Sequence, residues 1–592
     1  MKSEVGLESE VGSSATSYSI TGMQFVDDDN DDDSNIDNDD NSNLDNISTT
    51  LPSSHFLSLP RPSSSSLSWT PNPNPPPTPN PTPSPSHAHA PPPPPIVDTT
   101  TLAAHDFDVD PRTGFMPPHP PLPHLPPSLE GERYAEWETT LRVACESRLQ
   151  LAVDTQGEGG GGGRGDAERR SEEWRGRVRK LPILSITPLL KSEVLLRRGH
   201  HVLAWILHFY IHTYPLHTPS IPIPPPLTLP LLQISHELQL PPVLTYSDDV
   251  LYNWGVLTSF TGTPSESHFY LTSARIELIG VRALEVMQSM LDELFVGDEI
   301  AVRRITRYLG ELGEVIGEME RELRGMREGC VPEVFYNQIR PWFRGFDSIH
   351  PQRPWVFQGI DGIGLDAPPN PLPTHLSGPS AGQSSLIHAL DIFLGVRHAE
   401  GEEEVLRKMR AYMPRHHRRF LAHLKESTRS LRGLVAGNDE GNGEGQEGGG
   451  EGGQGEGNEE KEGNDEGQEG EGEEEEEGKK MLVEAYNQAV GALRKLRDAH
   501  FGIVARYIIG PAASASAKVA SAANSSAAAA SADANAAVTS ADDANVNVNA
   551  DAATEGGGEG LRSRLKGTGG TDLARFLKSV RDDTKEAVIS SK

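Results

Sequence analysis

The stretch "LRKLRDAHFGIVARYIIGP", residues 493–511, sets the helical character of the chain. Leu493, Leu496, His500, Val504 and Tyr507 recur three or four residues apart, so on a helix they share one face. Arg494, Lys495 and Asp498 lie off that face. The same period runs back through Leu482, Tyr486 and Ala489. The helix is predicted to stop at Gly510-Pro511, a glycine followed by a residue with no N–H. An imidazole thus stands on the apolar face. It is either a core histidine bonded to a carbonyl or a ligand to a metal or heme iron.

Outward from this helix the chain reads as helical almost throughout. Residues 130–151, 168–179 and 191–214 have helical composition, and a proline-rich crossing, "TPSIPIPPPLTLP", follows. Residues 267–295 are apolar on more than one side, which predicts a central helix. Residues 298–329 are amphipathic through Ile305, Leu309, Leu312, Ile316, Met319, Leu323 and Met326. Short helices frame "GPSAGQSSLIHALDIFLG" and "VLRKMRAYMPRHHRRFL", and no stretch alternates strongly enough to predict a strand. The expected fold is all-α, with a small helical domain over residues 105–260 and a larger one over residues 261–592.

The formal net charge of −32 suggests basic partners, but its distribution removes that reading. An aspartate run within residues 27–45 carries −10 and a glutamate-glycine tract within residues 439–478 carries −17, leaving about −5 for the rest. No basic patch with interleaved aromatics is present, so no nucleic-acid partner is expected. Residues 1–104 cannot bury enough apolar surface to offset chain entropy and read as a disordered tail. The acidic glycine-rich segment 437–479 and the Ala/Ser run 512–560 read as solvated insertions in loops, as does a shorter glycine tract at 157–165. Two cysteines, Cys145 and Cys330, exclude a disulfide framework or a cysteine zinc site. The N-terminus has no apolar leader, and the longest apolar run, "VLAWILHFY", is well short of the roughly 18 residues a membrane span needs. A soluble, cytoplasmic, monomeric protein is expected.

Several clusters invite chemistry. His201, His208 and His212, with His200 beside them, fall on one helix, but no acid or cysteine nearby in sequence completes a metal site. An amphipathic helix is the better reading. "KGTGGTD", residues 566–572, lacks the Lys-Ser/Thr ending and preceding strand of a phosphate loop and reads as a hinge or lid. "GPSAGQSS", residues 378–385, is a run of small residues that either caps a helix or lets a flat ligand approach the backbone. Asp391 then sits inside an apolar helix and needs a partner. On the central helix Phe269, Ser273, Ile276, Gly280, Ala283 and Met287 form a face of unusually small members. That face allows either close packing or room for a cofactor.

Taken in order, "LPILSITPLL", "LPPVLTYSDDVLYNW", "SAGQSS", "MRAYMPRHHRRFL", "LRDAHFGIVARYI" and "KGTGGTDLARFLKSVR" resemble indoleamine 2,3-dioxygenase. The resemblance is collinear from about residue 105 onward, with the low-complexity tracts between the motifs. It implies heme b with His500 as proximal iron ligand, Arg497 toward a heme propionate, and Asp391 as its charge partner. It places Phe269 and Ser273 on the distal side, Phe335 against the substrate indole and Arg340 on the substrate carboxylate. Ser380 and Ala381 would line the substrate edge and Thr568 would close over it. The implied reaction joins O₂ to the indole C2–C3 bond of L-tryptophan, giving N-formylkynurenine, the first step of tryptophan catabolism by the kynurenine route. A separate electron donor reduces the heme, and no protein general base is assigned.

Two positions depart from the family pattern: Pro379 stands where a glycine is usual, and His388 where a glutamine is usual. Pro379 fixes φ and removes an N–H beside the pocket, which bears on tryptophan affinity. The competing readings are a divergent paralogue with weak tryptophan turnover and a heme-binding or signalling scaffold without turnover. One prediction arises here. A chain lacking residues 1–104 and 440–477 should keep its heme and most activity, and failure to fold would place one of these segments in the core.

Overall fold

Strong local capping signals start the long helices. In this computed structural model Ser192 caps α3 (Glu193–His212) by accepting from Val194 N, and Asp298 caps α6 (Glu299–Gly329) by accepting from Ala301 N. Thr263 caps α5 (Pro264–Val296), with Pro264 in the first turn where its missing N–H costs nothing. Glu266 returns the favour by accepting from Phe260 N and Thr261 N, at 2.8 and 2.7 Å. The remaining helices are α1 (Ala135–Glu146), α2 (Gly163–Arg179), α4 (Pro225–Leu238), α7 (Pro332–Val334), α8 (Ser385–Phe393), α9 (Glu400–Arg410), α10 (Arg415–Glu426), α11 (Leu431–Ala436), α12 (Gln468–Val504) and α13 (Leu573–Glu586). The structure describes residues 102–127, 129, 133–152, 163–348, 353–360, 376–427, 430–437, 468–515, 517, 521, 567 and 572–590. Residues 1–101 of the N-terminal tail, most of the acidic tract, most of the Ala/Ser run and Thr568 lie outside them, whereas residues 102–104, expected to belong to the tail, are described and Leu102 is buried in the core.

Helix α6 packs along both α5 and α12, and α13 packs on α12. Helix α8 lies against α5 and α10. The small face of α5 is used for close packing at Gly280, where a Cβ would fall 2.2 Å from Leu386 Cδ2 of α8. An aromatic core holds α3 to the segment after α7: Phe260 stacks on Trp342 at 5.2 Å with an interplanar angle of 4°, and Trp205 lies 4.3 Å from Phe260. Among the described residues no helix is long and apolar enough to cross a membrane.

Three expectations need correction. A short parallel pair does exist, β1 (Ile221–Ile223) beside β2 (Trp355–Phe357), with Ile221 opposite Trp355. Three residues with a proline in the middle give too little alternation to read, and the partner lies far along the chain. Helix α12 does not stop at Gly510: it runs through a π turn, Ala505–Ile509, and stays helical to residue 515. Gly510 keeps helical angles and donates to Ala505 O. Pro511 therefore falls at the start of the continuing segment, where it has no N–H to waste. The same helix begins inside the acidic tract, at Gln468. Glutamate is a good helix former, and Glu475 holds Lys479 one turn on at 2.6 Å.

Two more π turns occur, at Ser247–Leu251 and at Phe335–Ile339, the second leading into a tight turn Arg340–Phe343.

Candidate functional site

All three π turns contribute to one largely apolar cavity of about 300 Å³. Its walls include the apolar face of α12, the N-terminal half of α5 through Phe269, Ser273 and Ile276, the loop Pro379–Gly382, and α13. The Leu493, Leu496, His500 and Val504 stripe faces this space. Gly567, the described residue of the glycine-rich loop, is buried in its wall.

His500 differs from every histidine of α3. His200 Nδ1 lies 2.8 Å from Asp248 Oδ1; His201 Nε2 shares a hydrogen bond with Thr258 Oγ1 at 2.9 Å. His208 donates from Nδ1 to Trp342 O at 2.7 Å, while its Nε2 accepts from Leu244 N at 3.3 Å. His212 Nε2 donates to Arg344 O at 3.0 Å. These are core histidines engaged with their neighbours, and no group of three metal-ligating side chains occurs among the described residues. The acid missing from the local sequence, Asp248, arrives from a distant turn but serves His200. The His500 ring has no hydrogen-bond partner among the described residues. Burial, then the nearby Arg497 charge, pulls its pKa down to about 4, so it is neutral with a free lone pair.

Beside it the buried carboxylate of α8 finds its partner. Arg497 Nη2 bridges both Asp391 oxygens at 2.5 and 2.6 Å, and its Nη1 reaches Thr584 of α13. His398 completes the group, 2.9 Å from Asp583 and 3.4 Å from Asp391. Burial alone would raise the Asp391 pKa, but Arg497 and His398 hold it down to about 2. Burial opposes charge on His398 too, yet Asp391 and Asp583 raise its pKa. The two signs differ. The Asp391 contribution to stability is present above its ordinary 3.8 and is lost as pH falls toward about 2. The His398 contribution is complete below the ordinary imidazole value and is lost as pH rises through the raised one. Asp391→Asn should therefore destabilise the fold by about 3–5 kcal/mol, because it strands a buried guanidinium. Melting curves against pH should also show the alkaline loss moving to lower pH in that variant.

Across the cavity Phe269 packs on Phe335 at 5.1 Å between centroids and on Phe343 at 5.7 Å. Ser273 donates to Phe269 O at 3.2 Å. Arg340 is buried, 5% exposed, with its guanidinium 5.9 Å from the Tyr336 ring. Burial, then Arg344, lowers its pKa to about 10, so it stays charged. Ser380 and Ala381 line the wall, Ala381 at the exposed side. Close backbone contact positions them: a Cβ on Gly378 would lie 1.8 Å from Phe343 O, and one on Gly345 2.2 Å from Gly378 N. His388 anchors the same loop, its Nε2 donating to Gly382 O at 2.9 Å. The cavity thus collects Phe269, Ser273, Phe335, Arg340, Ser380, Ala381, Asp391, Arg497 and His500. Glu277 and Tyr246, bonded to each other at 2.9 Å, also line it and were not singled out from sequence. Glu277 was findable, since an acid four residues after Ser273 on an apolar helix raises the same question as Asp391.

A helical fold that presents an imidazole with no hydrogen-bond partner among the described residues to a largely apolar cavity, with an arginine-carboxylate pair at its edge, suits a flat metal-centred cofactor and places the chain among cofactor-binding proteins. Residues 103–587 match the family described as indoleamine 2,3-dioxygenase. The chain belongs to the indoleamine 2,3-dioxygenase family, whose members are heme dioxygenases. It is 28% identical to the indoleamine 2,3-dioxygenase of Saccharomyces cerevisiae over 80% of this chain and 91% of that one. It is 26% identical to indoleamine 2,3-dioxygenase 1 of Rattus norvegicus, over 82% and 95%. A 6-hydroxytryptophan 2,3-dioxygenase of Fusarium equiseti is also 26% identical, over 82% and 98%.

Proposed function

We propose that the protein inserts both atoms of O₂ across the C2–C3 bond of an indoleamine, with L-tryptophan as the reference substrate and N-formylkynurenine as its product. The observation that carries this reading is His500, the neutral imidazole in the cavity wall that engages no other group among the described residues, on a chain whose family uses heme. His500 would hold the iron of heme b, and Arg497 with Asp391 would meet the charged edge of the macrocycle. The heme, reduced by an external donor, supplies the oxygen chemistry.

The chain's own residues bind, orient and keep the reactants dry. Arg340 would grip the amino-acid carboxylate through charge-assisted hydrogen bonds. Phe335 would pack on the indole, and Phe269, its ring centroid 5.1 Å from that of Phe335, would back it from the central helix and hold it in place. Ser273 is committed as a donor to its own helix, which suits a packing role and not that of a base. Ser380 and Ala381 would border the substrate edge, and Thr568 would close over it. Relatives named for an indoleamine and for 6-hydroxytryptophan keep the ring substitution of the substrate open. The test is to supply purified protein with tryptophan, O₂ and a reductant and to follow N-formylkynurenine absorbance. No oxygenated product from tryptophan or from a hydroxylated tryptophan would reject the reading.

A further inference from the structure

Resting on that reading, we propose that Glu277 is a positioning residue for the reaction: it fastens the Ser380–Gly382 wall, where the substrate edge would lie, to the helix that carries Phe269 and Ser273. Glu277 follows Ser273 by four residues and Phe269 by eight, so the three share a face of α5 at successive turns. It is buried in the cavity wall. Its Oε1 accepts two hydrogen bonds, from Ser384 Oγ at 2.7 Å and from Tyr246 Oη at 2.9 Å. Ser384 ends the loop and stands at the N-cap of α8, where a serine hydroxyl ordinarily accepts from the first turn. Here it makes no cap bond and goes to Glu277 instead. Tyr246 leads into the π turn Ser247–Leu251. One carboxyl oxygen thus joins three walls of the cavity.

A second tie closes the triangle. Tyr246 N donates to Gln383 Oε1 at 2.8 Å, and Gln383 Nε2 donates to Gly378 O at 2.9 Å. Tyr246 is therefore held by Glu277 at its ring oxygen and by the loop at its backbone. Inside the loop Gln383 N donates to Ser380 O at 2.9 Å and Ser384 N to Ala381 O at 3.1 Å. A shift of Ser384 is thus passed straight to Ser380 and Ala381. The His388 bond to Gly382 O ties the loop to α8, its own continuation, whereas the Ser384 bond ties it to a different helix. An apolar residue at 277 would leave two buried hydroxyls without this acceptor, and the loop would shift as they turned to others. Burial raises the Glu277 pKa, and the bonds from Ser384 and Tyr246 oppose that rise. Protonated or not, the carboxyl keeps an acceptor at Oε1, so the fastening rests on geometry and not on charge.

The test measures kcat, KM, anaerobic affinity for L-tryptophan and Soret absorbance in wild type, Glu277→Leu, Glu277→Gln, Tyr246→Phe and Ser384→Ala. Glu277→Leu should raise KM and weaken anaerobic affinity about tenfold, with a smaller change in kcat and an unchanged Soret band. Glu277→Gln, whose amide oxygen accepts both bonds, should stay within about twofold of wild type. Tyr246→Phe and Ser384→Ala should each show part of the loss, and adding either to Glu277→Leu should change little, because both act through the same oxygen. A fall in kcat as large in Glu277→Gln as in Glu277→Leu would make the charge itself catalytic and overturn the positioning role. Lower melting temperatures with unchanged KM and affinity would make the contact structural, and overturn it as well. Should Glu277→Leu fail to fold, wild-type KM and affinity in both single-bond variants overturn the proposal. Absence of oxygenated product from wild type rejects the dioxygenase reading, whereas product from wild type with equal affinities across the variants rejects the positioning role alone.

Discussion

His500→Ala is expected to purify without a Soret band and without detectable dioxygenase turnover, while its fold stays close to wild type. The reason for the second half is structural. The imidazole bonds to no other group among the described residues, so its removal costs side-chain packing, about 1 kcal/mol. His208 makes the opposite case. It joins Trp342 O to Leu244 N, and His208→Ala strands both groups in the core at about 1–3 kcal/mol each. The His208 variant should melt earlier yet keep its heme spectrum wherever it remains folded, since that residue does not line the cavity. Absorbance between the near-ultraviolet and visible, read beside a thermal melt, separates the two. A normal ferrous spectrum in His500→Ala would mean that another residue is the axial ligand.

Arg340→Leu should lose at least about tenfold in kcat/KM for tryptophan, equivalent to about 1.4 kcal/mol of transition-state stabilisation. A guanidinium meeting a carboxylate in a partly dry pocket gains roughly 1.5–3 kcal/mol per charge-assisted bond. Most of the loss should appear in KM, with a smaller fall in kcat from misorientation. The decarboxylated analogue tryptamine cannot use this contact, and its turnover should change little. Measuring both substrates in both proteins is decisive: equal losses would make Arg340 a structural arginine, serving the Tyr336 ring and the Arg340–Phe343 turn.

The helical class was legible because long periodic faces, such as the Leu493 to Tyr507 stripe, encode burial locally. The cavity wall was legible mostly through resemblance, since Phe269, Arg340, Ser380 and His500 come from four distant segments. Asp391 announced itself by position, an acid on an apolar helix, although its partners Arg497 and His398, and the Asp583 that holds His398, could not be read from spacing. Helix α12 misled at its end because Gly-Pro ordinarily stops a helix, and nothing local marks a π turn. The strand pair was invisible for a related reason: Ile221 and Trp355 are each meaningful only beside the other. Asp248 and Asp249 look alike in sequence, yet among the described residues one accepts hydrogen bonds on both oxygens and the other has an oxygen with none. That distinction depends on where the turn points each carboxyl.

The three π turns at Ser247–Leu251, Phe335–Ile339 and Ala505–Ile509 each hold one residue more than an α turn of the same rise. They make the effect of a change in chain length depend on where it falls. Deleting the exposed Arg506 would restore an ordinary α turn and leave the chain beyond it in register, because the π turn already absorbs that residue. A deletion in the regular α segment between His500 and this turn would instead swing everything after it by about 100°, the angle of one residue at 3.6 per turn. Tyr507 would then leave Cys330 O, which it now reaches at 2.7 Å, while His500 upstream would keep its direction. Single-residue gaps at these three points are accordingly the changes in length that related chains could carry with the elements beyond them still in register.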